Sequence, residues 1–193
     1  MSKISDIFHY EGLTYWGPIS PERMESILDR MPLAPGLKAT DIGCGRGELL
    51  IRLAERCGAQ VTGVDFSRNA LDLARLALST RAPDVAGRFV KADARAYTSD
   101  GAQDLISWLG GPFLGDDLAE TLVVLNSWLR PGGHLLIGQG FWASPPPAAY
   151  LEATGISEDE MGTHWENIAL AEASGLRLLY AEFTIFRQQY RSS

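Results

Sequence analysis

The sequence predicts an α/β fold, a doubly wound and mostly parallel sheet with helices on both faces. Three observations predict it. Apolar runs of strand length alternate with stretches of helix length from residue 37 to residue 137. The helical stretches carry their apolar residues three and four apart, on one face. A glycine cluster, Gly43-Cys44-Gly45-Arg46-Gly47, stands at the first strand-to-helix turn.

Residues 21–31 read as a helix, with Ser20 as N-cap and Pro21 at the first helical position. Pro35-Gly36 is a turn into a strand over 37–42. The next helix, 47–57, presents Leu49, Leu50, Leu53 and Ala54 on one face and stops at Gly58. A buried strand over 61–64 follows. Ser67 caps a helix that keeps Ala70, Leu71, Ala74, Ala77 and Leu78 at helical spacing. Strands are predicted over 88–91 and 104–108, then a helix over 116–129. Pro131-Gly132-Gly133 turns into a fifth strand over 134–137. Helical stretches over 148–153 and 158–174 and a strand region over 176–186 complete the order. Right-handed crossovers wind this order into a doubly wound sheet. Ligands sit beyond the carboxyl ends of such strands, which places residues 43–47, Asp65, Asp93 and residues 108–111 around one crevice.

The chain has 193 residues, 46% of them apolar and 21% charged, enough for one globular domain with its own core. Lysine and arginine number 17 and aspartate and glutamate 24, a net charge of −7. An acidic chain is repelled by phosphate backbones, so no nucleic-acid partner is expected. Arg46, Arg52, Arg56, Arg68, Arg75 and Arg81 are spread along helical stretches with acids between several of them, the pattern of a solvated surface. Cys44 and Cys57 show neither metal-ligand spacing nor a disulfide framework, so no metal is expected and a reducing compartment is. The N-terminus lacks the apolar region of a secretory leader, and no run reaches the roughly 18 apolar residues of a membrane span. A cytoplasmic chain without a membrane partner is expected.

The first strand ends in Asp41-Ile42-Gly43-Cys44-Gly45-Arg46-Gly47. Alternate glycines let the backbone bend tightly and approach a ligand. A dinucleotide site needs G-x-G-x-x-G, and here the third glycine falls at 47 while position 48 is Glu. An Asp at the head of the loop repels phosphate and suits a cationic ligand.

This Asp-x-Gly-Cys-Gly-x-Gly run resembles the first motif of class I S-adenosylmethionine-dependent methyltransferases, a Rossmann-like family. Val61-Thr62-Gly63-Val64-Asp65-Phe66-Ser67 resembles that family's second strand with its acidic end. Lys91-Ala92-Asp93-Ala94 resembles the segment that meets the adenine. Asp104-Leu105-Ile106 and Leu129-Arg130-Pro131-Gly132-Gly133-His134-Leu135 resemble the fourth strand and the turn into the fifth. The segments at 17–23 and 142–150 are further similar to a bacterial small-molecule methyltransferase group.

The resemblance implies S-adenosylmethionine as cofactor, S-adenosylhomocysteine as product and a small-molecule acceptor. Asp41 would stand near the methionine ammonium. Gly43, Cys44, Gly45 and Gly47 would pass beneath the ribose and methionine, with Cys44 as a small packing residue and not a nucleophile. Asp65 would accept from the ribose hydroxyls, Phe66 would pack on the adenine, and Asp93 would accept from its amino group beside the Ala94 N–H. Trp108 would border the same site. Residues 1–30 would form a helical lid and 141–174 a substrate-side helical segment of one domain spanning 1–193.

Methyl transfer from a sulfonium needs chiefly positioning, and a hydroxyl acceptor adds a use for a general base. The candidates are His9, His164 and Tyr15; His134 starts the fifth strand, away from the crevice. Tyr10, Tyr15, Trp16, Trp108, Phe141, Trp142 and Trp165 either line an aromatic pocket or are ordinary core. Two departures stand out. After the fifth strand the chain reads Gly138-Gln139-Gly140-Phe141-Trp142, where the related group carries an acid and a proline. The family's closing C-terminal hairpin is shortened to one strand, so a homodimer is expected to cover the sheet edge. Two alternatives use the same motif: a lyase, cyclase or hydrolase of S-adenosylmethionine, and a non-catalytic partner subunit. A dehydrogenase is disfavoured by Glu48.

Overall fold

The computed structural model describes Tyr15 and residues 19–183. The chain divides in sequence into two compact units, one up to Gly138 and one from Gln139.

The first unit carries the sheet. Its elements are α1 (Pro21–Arg30), β1 (Lys38–Ile42), α2 (Glu48–Cys57), β2 (Gln60–Asp65), α3 (Arg68–Arg81), β3 (Gly87–Lys91), β4 (Gln103–Leu109), α4 (Leu118–Trp128) and β5 (Leu129–Gly138). All pairings are parallel and the strand order is β3-β2-β1-β4-β5. The chain therefore steps outward from β1 to β3 and returns to β4 on the other side. The reversal falls between β1 and β4, the position where doubly wound sheets open a crevice.

The predicted caps form. Ser20 accepts from the Arg23 N–H, Ser67 from the Ala70 N–H, and Gly58 ends α2 in the left-handed region. The fifth strand needs correction. It starts at Leu129, with a bulge in place of a turn: Gln103 pairs with Leu129 and Leu105 with His134, leaving residues 130–133 out of register. Pro131 has no N–H to give the ladder, so the strand survives there only as a bulge.

Successive strand residues face opposite sides of the sheet. Ala39, Val61 and Leu105 join Met24 and Leu28 of α1, Leu49, Leu50 and Leu53 of α2, and Leu71 and Leu78 of α3 in one core. Ile42, Ile106 and Trp108 alternate with these and are buried toward the other face, where α4 adds Leu118, Leu122 and Leu125. Ion pairs tie the first three helices together. Glu25 pairs with Arg52 and Arg56, Asp29 with Arg56 at 2.7 Å, and Arg81 with Glu48 at 2.7 Å and Glu55 at 2.6 Å. Because Glu25 meets Arg52 and Asp29 meets Arg56, one helical turn further along both chains, α1 and α2 run parallel.

The second unit holds α5 (Ala148–Thr154), a single 3₁₀ turn (Glu158–Glu160) and α6 (His164–Ala173). The helix expected over 158–174 is thus two pieces. Ser157 with Glu160, and Thr163 with Glu166, each form a reciprocal capping box, so the chain starts twice. The strand expected over 176–186 is absent from its described part: residues 176–183 form no strand, and 184–186 lie outside the described residues.

Candidate functional site

Four loops gather at the carboxyl ends of β1, β2, β3 and β4. The β1–α2 loop is drawn back over β2: the Gly43 and Cys44 N–H groups both donate to the Val64 carbonyl, at 2.8 and 3.0 Å. Gly47 then takes φ +75 at the head of α2. A side chain there would stand 3.0 Å from Ala74 Cβ and 3.2 Å from the Phe89 ring, so position 47 needs glycine for conformation and for space alike. Cys44 is buried, and its thiol lies 2.7 Å from where Gly63 would carry a Cβ. Burial pushes the thiol well above its ordinary range, which disfavours a thiolate nucleophile at this position.

Asp41 is 5% exposed and pairs across the sheet with Ser107. The Ser107 hydroxyl donates to Asp41 Oδ1 at 2.6 Å. Burial pushes the Asp41 carboxyl up to about 7; the Ser107 hydrogen bond opposes this and the nearby Asp65 charge adds to it. Ser107 had no local signal in the sequence, because its role comes from the β1–β4 register.

Asp65 is nearly as buried. Its Oδ2 accepts from the Gly45 N–H and its Oδ1 from the Ser67 N–H, both at 2.8 Å. The carboxylate therefore pins the glycine loop and starts α3. Phe66, next in the chain, is 70% exposed. Asp93 accepts from the Arg95 N–H at 2.9 Å and starts a short turn that includes Ala94. Arg95 Nε in turn donates to the Phe113 carbonyl at 3.0 Å, tying the β3 loop to the β4 loop.

Trp108 requires correction. Its indole is fully buried and donates to the Pro112 carbonyl at 3.3 Å, so the ring does not border the crevice. It supports Gly111, where a Cβ would stand 2.8 Å from the indole nitrogen. His134 lies at the opposite end of the sheet, in a cavity shared with Met31, Leu33, Asp104 and Arg130, as expected of a residue remote from the crevice.

Tyr15 is buried in the first unit's core, and Arg52 lies 5.8 Å from its ring centroid. In the second unit His164 is packed among Phe141 (5.2 Å), Trp165 (5.7 Å) and Phe183 (5.8 Å). Trp142 stands apart, edge-on to Tyr150, with its indole donating to the Glu158 carbonyl. His9, Tyr10 and Trp16, and most of the first 20 residues of the lid expected over 1–30, lie outside the described residues. Among those described, no group of acids, histidines and cysteines has the arrangement of a metal site, and no helix is long and apolar enough to cross a membrane.

Residues 39–133 match the family described as methyltransferase domain. A S-adenosylmethionine-dependent methyltransferase from Geobacter sulfurreducens, solved with S-adenosylhomocysteine, superposes with a TM-score of 0.81 at 28% identity, over 91% of this chain and 71% of that one. The ubiquinone biosynthesis O-methyltransferase of Ralstonia nicotianae is 31% identical over 144 residues, 70% of this chain and 58% of its own. Methyltransferase GfsG of Streptomyces halstedii is 31% identical over 177 residues, 88% of this chain and 63% of its own. The chain thus spans between half and two thirds of the length of such curated relatives. The fold, the crevice loops in their order and these likenesses agree: the chain belongs to the class I S-adenosylmethionine-dependent methyltransferases.

Proposed function

We propose that the chain transfers a methyl group from S-adenosylmethionine to an oxygen, nitrogen or carbon of a small molecule. The observation that carries this is Asp41, a buried carboxylate with one hydroxyl donor and a second acid near it. Such a group favours a cation in the crevice and disfavours a pyrophosphate. The α-ammonium and sulfonium of S-adenosylmethionine supply that charge, and the sulfonium supplies an activated methyl. Asp41 orients the amino-acid end. The loop 43–47, pinned by Asp65, lets the backbone approach the ligand. Asp65 keeps lone pairs for ribose hydroxyls beyond its two backbone bonds. The exposed Phe66 ring offers a face to the adenine, and Asp93 with Ala94 meets its edge.

The acceptor belongs with the second unit, whose residues 139–176 include six acids and no lysine or arginine. His164, set among aromatic rings, is the general base for a hydroxyl acceptor in this reading. The reaction runs in the cytoplasm, in keeping with two free thiols. A second copy pairs along β5, an edge strand among the described residues with no charged residue over 134–138; a monomeric mass by light scattering at micromolar concentration would remove that partner.

The test is to incubate the protein with S-adenosylmethionine and a panel of phenols, carboxylic acids and amines. Acceptor-dependent S-adenosylhomocysteine with a matching methyl mass gain supports methyl transfer. Methylthioadenosine as the product replaces it with non-methylating chemistry on the same cofactor.

A further inference from the structure

Among the described residues, the Tyr15 hydroxyl is the one buried side-chain polar atom that finds no hydrogen-bond partner. The side chain is 7% exposed and sits in the core with Met24, Leu28, Leu49 and Leu53. Its ring lies beside the Arg52 guanidinium. The carboxylates around it are already engaged. Glu48 Oε1 accepts from Arg52 and Oε2 from Arg81, at 2.7 Å each, and the two Glu25 oxygens accept from Arg52 and Arg56. Burial raises the phenol well above its ordinary range, so at neutral pH it keeps its proton and remains a donor. A buried donor left without an acceptor is destabilising, and a protein keeps such a group where something else offsets it.

Position says what that is. Arg52 stands one turn beyond Glu48, the first residue of α2, and Gly47 precedes Glu48 directly. Tyr15, beside Arg52, therefore packs on the first turns of α2, the helix that the glycine loop enters, and Asp65 accepts from Gly45 of that same loop.

We propose that the Tyr15 hydroxyl is a positioning group of the cofactor site, donating its hydrogen bond to an oxygen of bound S-adenosylmethionine while its ring holds Arg52 and, through Arg52, Glu48 at the first turn of α2. This rests on the cofactor reading above. It adds a residue outside the glycine loop and the strand ends. It also states why the hydroxyl is kept: it is unpaired in the free protein and paired in the complex.

The substitution Tyr15→Phe separates this role from packing, because it removes the oxygen and keeps the ring. The free variant should melt higher than wild type by about 2–4 °C, since an unpaired buried donor is gone. Its affinity for S-adenosylhomocysteine, measured by calorimetry, should fall about five- to thirty-fold. Opposite signs are the signature; a purely structural tyrosine leaves the affinity unchanged. Equal affinity in Tyr15→Phe and wild type overturns the proposal, and so does a lower melting temperature in the free variant. If wild type itself fails to bind S-adenosylhomocysteine, the cofactor reading fails first and the role of Tyr15 falls with it, an outcome distinct from binding that Tyr15→Phe leaves unmoved.

Discussion

A carboxylate at the end of a central parallel strand has little water to offset its charge, and Asp41 carries that cost as a raised pKa. An unfolded aspartate titrates near 4, whereas folded Asp41 holds its proton up to about 7. Between those values the folded state binds more protons than the unfolded one. The contribution of Asp41 to stability is therefore greatest below about pH 4 and declines as pH rises toward 7. Replacing Asp41 with Asn should remove that decline, and melting curves from pH 5 to 7.5 check it. Equal slopes for the two proteins would contradict the assignment. Binding has the opposite slope. A cationic ligand favours the carboxylate, so wild-type affinity should rise roughly tenfold per pH unit between about 5.5 and 7, and the Asn variant should bind weakly without that rise. At Asp65 the outcome is split between structure and ligand. Asp65→Ala strands the Gly45 and Ser67 N–H groups and should lower stability by about 1–3 kcal/mol as well as weaken cofactor binding. Asp65→Asn keeps acceptor capacity on only one side-chain atom and should fall between; wild-type stability in the Ala variant would show that the loop does not depend on this carboxylate. At this scale the sequence was legible where chemistry is local. Asp41, Asp65 and the glycines lie in one motif. Ser107 lies 66 residues from Asp41 in the chain and meets it only through sheet register. Trp108 was misplaced for the same kind of reason. The end of a strand locates a residue near the crevice, but the two-residue alternation decides which face its ring occupies, and Trp108 turns toward α4 and Phe113.

Elements were legible wherever a cap or a glycine marks their ends. Ser20 with Pro21, Gly58 and Ser67 set helix boundaries almost as written. The failures lie where two signals competed. Residues 158–174 keep enough helical spacing to read as one helix, yet Ser157 and Thr163 each open a capping box, and Gly162 separates them. The rule was available in the S-x-x-E and T-x-x-E spacings. Strand β5 was shortened because Pro-Gly-Gly reads as a turn, whereas pairing on both sides of it holds the strand together around a bulge. Gly47 is where element geometry can be tested. Gly47→Val puts a β-branched residue at φ +75 against Ala74 and Phe89. It should lower stability by about 2 kcal/mol or more, which is a drop of roughly 4 °C or more in melting temperature. Retained stability with full cofactor binding would mean that the β1–α2 turn has a different path.

For the whole molecule, the parallel sheet, its order and the crevice at the β1–β4 reversal follow from alternating elements and right-handed crossovers. Charge behaves as expected of a solvated surface: Arg52, Arg56, Arg75 and Arg81 are each paired with acids on their own or neighbouring helices. The acceptor was not legible, and the physical reason is plain. Cofactor chemistry is the same across the family and leaves a motif, whereas acceptor recognition is built from aromatic and polar side chains with no fixed spacing. In the second unit Phe141, His164, Trp165 and Phe183 gather from three separate segments, a cluster that no fixed spacing announces.

Everything assigned to the crevice depends on its being a site for a cationic nucleoside rather than a dinucleotide. The measurement that decides this is calorimetric titration of the purified protein with S-adenosylmethionine, S-adenosylhomocysteine and NAD in parallel. The account predicts micromolar binding of the first two and none of NAD. Binding of NAD, or of none of the three, would contradict it.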